Sequence, residues 1–317
     1  MESEVAARTL TLAGTRAHTR YVRVRRAMQV VRLLKKDEDD ADTLASRNAL
    51  NSWSMARITT QVSALLEQIT THFPVILGRN LVGLYLYGSL TQRAFNSKRS
   101  DVDCIAVTER DLSEAQFRKL AAWLARAAES NPWAARLQIS FLIKHQVLTM
   151  NAKACLYQFG RLKRSSSDGN PIIWINVLES GVVLFGARPE VFVPTITPEM
   201  LFQALEREVG YLREEISHKP ESEWRDVPSY RAYAVLTLCR ILYSSRKGTI
   251  VSKPRAARWA IKHLPPEWRE IIRQALETDD AVRSAEISLS RIEQFIDFAD
   301  AQLHPLRAEP AAVLGPR

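Results

Sequence analysis

Long apolar runs, clustered histidines and paired cysteines are missing from this sequence. No stretch approaches the roughly 18 consecutive apolar residues of a membrane span, so no membrane partner is expected. The N-terminal region is basic but has no apolar h-region, which argues against a secretory signal. Three cysteines, Cys104, Cys155 and Cys239, are too few and too scattered for a disulfide framework or a zinc site. A reducing, cytoplasmic setting fits them. The six histidines are dispersed without metal-ligand spacing. A basic strip interleaved with aromatics is absent too. The net charge of +9 is therefore not read as a nucleic-acid-binding surface.

What remains is an ordinary globular composition, 46% hydrophobic and 25% charged over 317 residues. That length accommodates two domains, each with its own core. Residues 1–50 stand apart. Thr19–Arg26 is basic, Lys35-Lys36 follows, and Asp37–Asp40 is acidic. Such blocks predict a disordered extension, with a short helix over Ala27–Leu34 at most and Met55 as an alternative start.

From there the patterning is regular. Val62, Leu65, Leu66 and Ile69 share one face of a helix spanning Ile58–Phe73. Leu81–Tyr87, Cys104–Thr108 and Leu137–Ile143 read as buried strands. Ser113-Glu-Ala-Gln116 has the form of a capping box, opening a helix with the stripe Phe117, Leu120, Trp123, Leu124 and Ala127. Residues 161–172 read as a loop and 180–186 as a short strand or turn. After Thr197 strand-like runs stop, and helices are expected at Met200–Ile216, Tyr230–Ser245, Lys253–His263, Trp268–Leu276 and Ser284–Leu303. The expected division is an α/β (α+β) domain over 51–196 and an all-helical domain over 197–307. Residues 308–317 complete the chain as a frayed tail.

The stretch that carries chemistry is Tyr87-Gly88-Ser89, eleven residues, then Asp101-Val102-Asp103. Asp101 and Asp103 share a face of the second strand, with Cα atoms roughly 6.5–7 Å apart. Hard oxygen ligands in such a pair suit Mg²⁺, which takes its remaining ligands from water and substrate phosphates. Gly88 permits close backbone approach, and Ser89 offers a hydroxyl and an N–H to phosphate at the mouth of a following helix. Arg93, Lys98 and Arg99 lie near enough in sequence to help balance phosphate charge.

Two independent stretches then point to one family. The Gly-Ser and Asp-x-Asp pair between strands resembles the polymerase-beta-like nucleotidyltransferases. Tyr233–Tyr243, Gly248–Pro254, Ala257–Ala260 and Leu264-Pro265 resemble the C-terminal domain of aminoglycoside adenylyltransferases of the streptomycin/spectinomycin class. The likeness covers about residues 82–300. It implies transfer of AMP from ATP·Mg²⁺ to a hydroxyl of a small molecule in an interdomain cleft, by a monomer. By that resemblance Ser89 contacts phosphate, Asp101 and Asp103 hold Mg²⁺, and Arg240 and Lys253 reach the nucleotide phosphates. Asp226 matches a drug-contacting acid.

Two departures stand out. The family's catalytic glutamate falls at Gln138, whose amide has the carboxylate's shape but cannot take a proton. A nucleotide-binding homologue with little or no transfer activity is therefore the alternative expectation. Tyr230 and Tyr233 stand where drug-modifying members carry an acid and a polar or imidazole group, which suits a less cationic acceptor. A ribonuclease-like Arg258-x4-His263 spacing also occurs, on what reads as a charged helix face beside a core Trp259.

Overall fold

Six strands pair into one sheet: β1 (Leu81–Tyr87), β2 (Val102–Thr108), β3 (Leu137–Ile143), β4 (Lys153–Gln158), β5 (Arg161–Ser166) and β6 (Val182–Gly186). The order across the sheet is β5-β4-β3-β2-β1-β6. The computed structural model describes residues 48–98, 100–167, 169–278 and 287–303, with 48–59 as backbone only. The expectations for residues 1–47, for the tail 308–317 and for Arg99 lie outside the described residues.

Every neighbouring pair is antiparallel except β2 with β3. A parallel pair cannot be joined by a tight turn, and helix α2 (Glu114–Ser130) supplies the crossover. The capping box forms as anticipated: the Gln116 amide N–H donates to Ser113 Oγ, and the Ser113 N–H donates to Gln116 Oε1. Helix α1 (Asn48–Leu77) extends beyond the expected Ile58–Phe73 at both ends. Its Val62, Leu65, Ile69 and Phe73 share a core with Leu120 and Leu124 of α2 and with Val102, Cys104, Leu137 and Ile139 of the sheet. Asp101, Asp103 and Gln138 alternate with those strand residues and so face away from the helices.

The loop expected over 161–172 is instead strand β5 followed by helix α3 (Pro171–Ser180). Arg161-Leu-Lys-Arg-Ser-Ser166 escapes a reading based on apolar periodicity because an edge strand needs no apolar face. Its ladder to β4 supplies the order, and its charges discourage further pairing. The β4–β5 turn is two residues, Phe159 (φ 52°) and Gly160 (φ 73°), and positive φ at both positions is what a type I′ hairpin demands. Arg164 fastens β5 to α2 through Asp111 (3.2 Å) and Glu114 (2.5 Å), with its guanidinium over the Phe117 ring.

The chain divides into two compact units. The first runs to Gly169 and resumes at Val177–Pro194; the second holds Asn170–Asn176 and everything from Thr195. The second unit is helical: α4 (Pro198–Arg213, continued by a π-helical turn to His218), α5 (Pro228–Lys247), α6 (Lys253–His263), α7 (Arg269–Glu277) and α8 (Leu289–Leu303). Pro sits in the first turn of α4, α5 and α6, where the missing N–H costs nothing. Gly248, left-handed at φ 67°, ends α5. Helix α5 is the hub, with Ala234, Val235, Leu238, Cys239 and Leu242 all at 0% exposure. No helix among the described residues is long and apolar enough to cross a membrane.

Candidate active site

In the first unit the site residues meet at the C-terminal end of β1. Gly88 follows that strand with φ +79°, a conformation glycine adopts without strain. The chain then closes a tight turn: the Gln92 N–H donates to Gly88 O (3.1 Å) and the Ala94 N–H to Ser89 O (2.9 Å). This turn stands where a helix was expected after Gly-Ser. Ser89 Oγ is buried within it and has no hydrogen-bond partner among the described residues. A buried hydroxyl left in that state is costly unless something else satisfies it.

Asp103 lies opposite Tyr87 of β1 and opposite Gln138 of β3. Directly paired strand residues share a face, so Tyr87, Asp103 and Gln138 form a row. A Cβ on residue 88 would stand 2.3 Å from Asp103 Oδ2. The glycine therefore makes room for the carboxylate, and the close approach read from the sequence is an approach by Asp103. Gly88→Ala combines that clash with a left-handed φ. It is expected to lower ATP·Mg²⁺ affinity at least about tenfold while costing about 1–2 kcal/mol of stability. Equilibrium dialysis and thermal unfolding would check the two parts.

Asp101 precedes β2 by one residue. Gln138 Nε2 donates to Asp101 Oδ2 at 2.8 Å, and Arg136 Nε lies 3.8 Å from Asp101 Oδ1. Arg136 also donates to the carbonyls of Ser97 (2.6 Å) and Ser100, and stacks over Trp133 at 4.6 Å. It thus pins the connection that delivers Asp101. No motif marks Arg136; Trp133-x-x-Arg136 just ahead of a strand is the only sequence signal. Arg93 is exposed with φ 52°. The Lys98 N–H donates to Asn96 Oδ1 (2.9 Å) as part of the same connection.

In the second unit Tyr230, Tyr233 and Arg240 follow one stripe of α5, spaced by three and seven residues. The helical turn Glu223–Asp226 places Trp224 against Tyr230 (5.5 Å between ring centroids), Tyr233 (5.4 Å) and Tyr211 (5.7 Å). Asp226 ends that turn and is exposed. Lys253, the first residue of α6, sets its ammonium 3.4 Å from the centre of the Tyr233 ring. Glu215, on the π-helical turn, is engaged by Lys219 (2.7 Å) and Ser222 (2.7 Å), contacts that hold its carboxyl below the usual range. His263 stacks on Trp259 at 5.0 Å and bonds through Nδ1 to the Trp259 carbonyl oxygen, a helix-face arrangement.

Lys253 pulls the Tyr233 phenol below its ordinary value, with help from Arg240. The folded state therefore favours the phenolate, and this contribution to stability grows as pH rises toward 10 and is absent below that window. Absorbance titration is expected to show one tyrosine ionising early, and Lys253→Met to move it back up. Among the described residues no three His, Cys, Asp or Glu side chains gather as a metal cluster. The candidate residues thus form two sets: Gly88, Ser89, Asp101, Asp103 and Gln138 on one unit, and Asp226, Tyr230, Tyr233, Arg240 and Lys253 on the other.

Comparison with known proteins agrees with this fold. Residues 190–302 match the family described as aminoglycoside adenylyltransferase, C-terminal domain. An aminoglycoside (3'') (9) adenylyltransferase of Klebsiella pneumoniae is 25% identical over 281 residues, covering 82% of this chain and 98% of that protein. A spectinomycin 9-adenylyltransferase of Campylobacter jejuni is 21% identical, over 67% of this chain and 83% of its own. The crystal structure of a spectinomycin adenyltransferase from Enterococcus faecialis, solved with ATP and spectinomycin, superposes with a TM-score of 0.57. It is 16% identical and covers 77% of this chain and 98% of its own. The resemblance read from the sequence is thus found again, and a nucleotidyltransferase fold with a helical C-terminal part is shared.

Proposed function

We propose that this chain is an adenylyltransferase that moves AMP from ATP·Mg²⁺ to a hydroxyl of a small molecule, of the aminocyclitol class to which streptomycin and spectinomycin belong. The observation that carries the reading is the joint placement of Asp103 over Gly88, beside the unsatisfied Ser89 hydroxyl. A glycine that gives its space to the Asp103 carboxylate, a buried hydroxyl with no partner among the described residues and carboxylates on one strand face support a metal-nucleotide site. The relatives' names and the ATP and spectinomycin in the solved neighbour support the same chemistry.

Asp101 and Asp103 would hold Mg²⁺, which supplies charge neutralisation on the phosphates when bound. Ser89 would donate a hydrogen bond from its hydroxyl to a phosphate oxygen, and Arg240 and Lys253 are assigned to phosphate charge by the family resemblance. The acceptor oxygen attacks the α-phosphorus, a new P–O bond forms, and the bond to the β-phosphate breaks to release pyrophosphate. Gln138 orients but takes no proton, so the acceptor's proton leaves to solvent. Asp226, Tyr230 and Tyr233 are assigned to the acceptor side.

The Gln138–Asp101 hydrogen bond favours one second reading: a nucleotide-binding homologue with little turnover, because the amide occupies the position of the expected base. Incubation with labelled ATP, Mg²⁺ and streptomycin or spectinomycin separates the two. A gain of one AMP in acceptor mass with pyrophosphate release supports transfer. ATP binding with no pyrophosphate release supports the second reading.

A further inference from the structure

We infer that Tyr233 is a positioning residue for Lys253, and so acts on nucleotide binding more than on the acceptor. The inference rests on the proposed assignment of Lys253 to nucleotide phosphates. The contact itself is the first argument. At 3.4 Å from the ring centre, the Lys253 ammonium sits closer to an aromatic face than any of four arginines on their rings, which lie at 4.6–5.5 Å. Tyr233 is itself held: its ring meets Trp224 at 79°, and Trp224 is flanked in turn by Tyr211 and Tyr230. The platform under Lys253 is therefore a braced group of four rings, built from α4, the turn before α5, and α5.

A ring suits what a phosphate-binding lysine needs. A lysine has four rotatable side-chain bonds and loses that freedom when it must meet an anion. A partner that holds it in advance removes part of this loss from the binding step. A carboxylate would do so but would cancel the charge and occupy the N–H donors. An aromatic face attracts the ammonium through its quadrupole and does neither. The depressed phenol of Tyr233 is consistent with the contact but adds no separate argument.

The inference also changes the assignment of position 233. One face of its ring is committed to Lys253, and it also meets the Trp224 ring nearly at right angles. The aromatic group thus serves the nucleotide through Tyr233, and Tyr230 with Trp224 is left for an acceptor.

Full-length protein carrying Tyr233→Leu, Tyr233→Phe, Lys253→Met or Tyr233→Leu with Lys253→Met tests this, by titration with ATP and Mg²⁺. Tyr233 is 41% exposed, so the leucine variant retains the fold. Tyr233→Leu is expected to weaken ATP binding about 3–30-fold, with Tyr233→Phe within about twofold of wild type because the ring is kept. The double variant should bind ATP no worse than Lys253→Met alone. ATP affinity unmoved by Tyr233→Leu, losses that add in the double variant, or no rescue by phenylalanine overturns the inference. An unchanged affinity in Lys253→Met alone overturns the nucleotide assignment of Lys253 instead.

Discussion

Asp103→Asn is expected to cut AMP transfer by about 10³-fold or more and to leave the fold intact. The side chain is part of no core cluster; it lies in the Tyr87–Asp103–Gln138 row on the face turned away from the helices. Asparagine keeps its size and its strand pairing, so the melting temperature should move by only a few degrees. The loss is electrostatic. A cation held by two carboxylates and substrate phosphates stabilises developing charge by several kcal/mol, and each 1.36 kcal/mol is a factor of ten. Pyrophosphate release measured against Mg²⁺ concentration checks this. Activity within tenfold of wild type would show that the metal is held elsewhere.

Gln138→Glu carries the second large effect, and here two terms oppose each other. A carboxylate at 138 would supply the missing base, and a positioned base is worth about 10²–10⁴-fold in rate. The same change replaces the 2.8 Å amide-to-carboxylate hydrogen bond with two carboxylates in contact. Arg136, at 3.8 Å from Asp101, offsets only part of that repulsion. The divalent cation decides which term wins. With saturating ATP·Mg²⁺ the variant should exceed wild type by about 10²-fold or more. Without metal it should melt lower than wild type, and Mg²⁺ should restore more of its melting temperature. Calorimetry with and without Mg²⁺, beside a rate assay, tests both halves. A variant no faster than wild type at any Mg²⁺ concentration would show that residue 138 does not face the acceptor.

How much of this was readable in the residues depends on the kind of signal each one carries. The strands Leu81–Tyr87 and Leu137–Ile143 were legible to the residue, because each is a mainly apolar run, alternating at first in the second, that ends abruptly. The α6 limits were legible because Lys253-Pro254 and His263-Leu-Pro265 bracket it. Strands β4 and β5 were not. Lys153–Gln158 lacks a clean run, and β5 is ordered by its ladder and by Arg164, a tertiary contact with Asp111 and Glu114. At the candidate site the Gly88-Ser89 and Asp101/Asp103 spacing revealed the chemistry. Arg136 stayed hidden, since its role lies in two carbonyls and a carboxylate brought near by folding. The Tyr233–Lys253 pair was hidden for the same reason, although both residues were singled out separately.

The β5-β4-β3-β2-β1-β6 order also sets the sequence in which the chain can be assembled. All of β1, β2 and β3, with the Asp-x-Asp and Gln138 positions, precede β6 along the chain. Until residues 182–186 arrive, β1 is an unprotected sheet edge with a full row of unpaired backbone groups. Its completion is remote: the Tyr85 hydroxyl bonds to the Ala187 carbonyl across 102 residues. Non-local closure of this kind is slow and exposes the intermediate to pairing with a second copy. The vulnerable moment for this protein is therefore on the ribosome. A chain that ends before β6 would carry Asp101 and Asp103 and be the form most prone to aggregate.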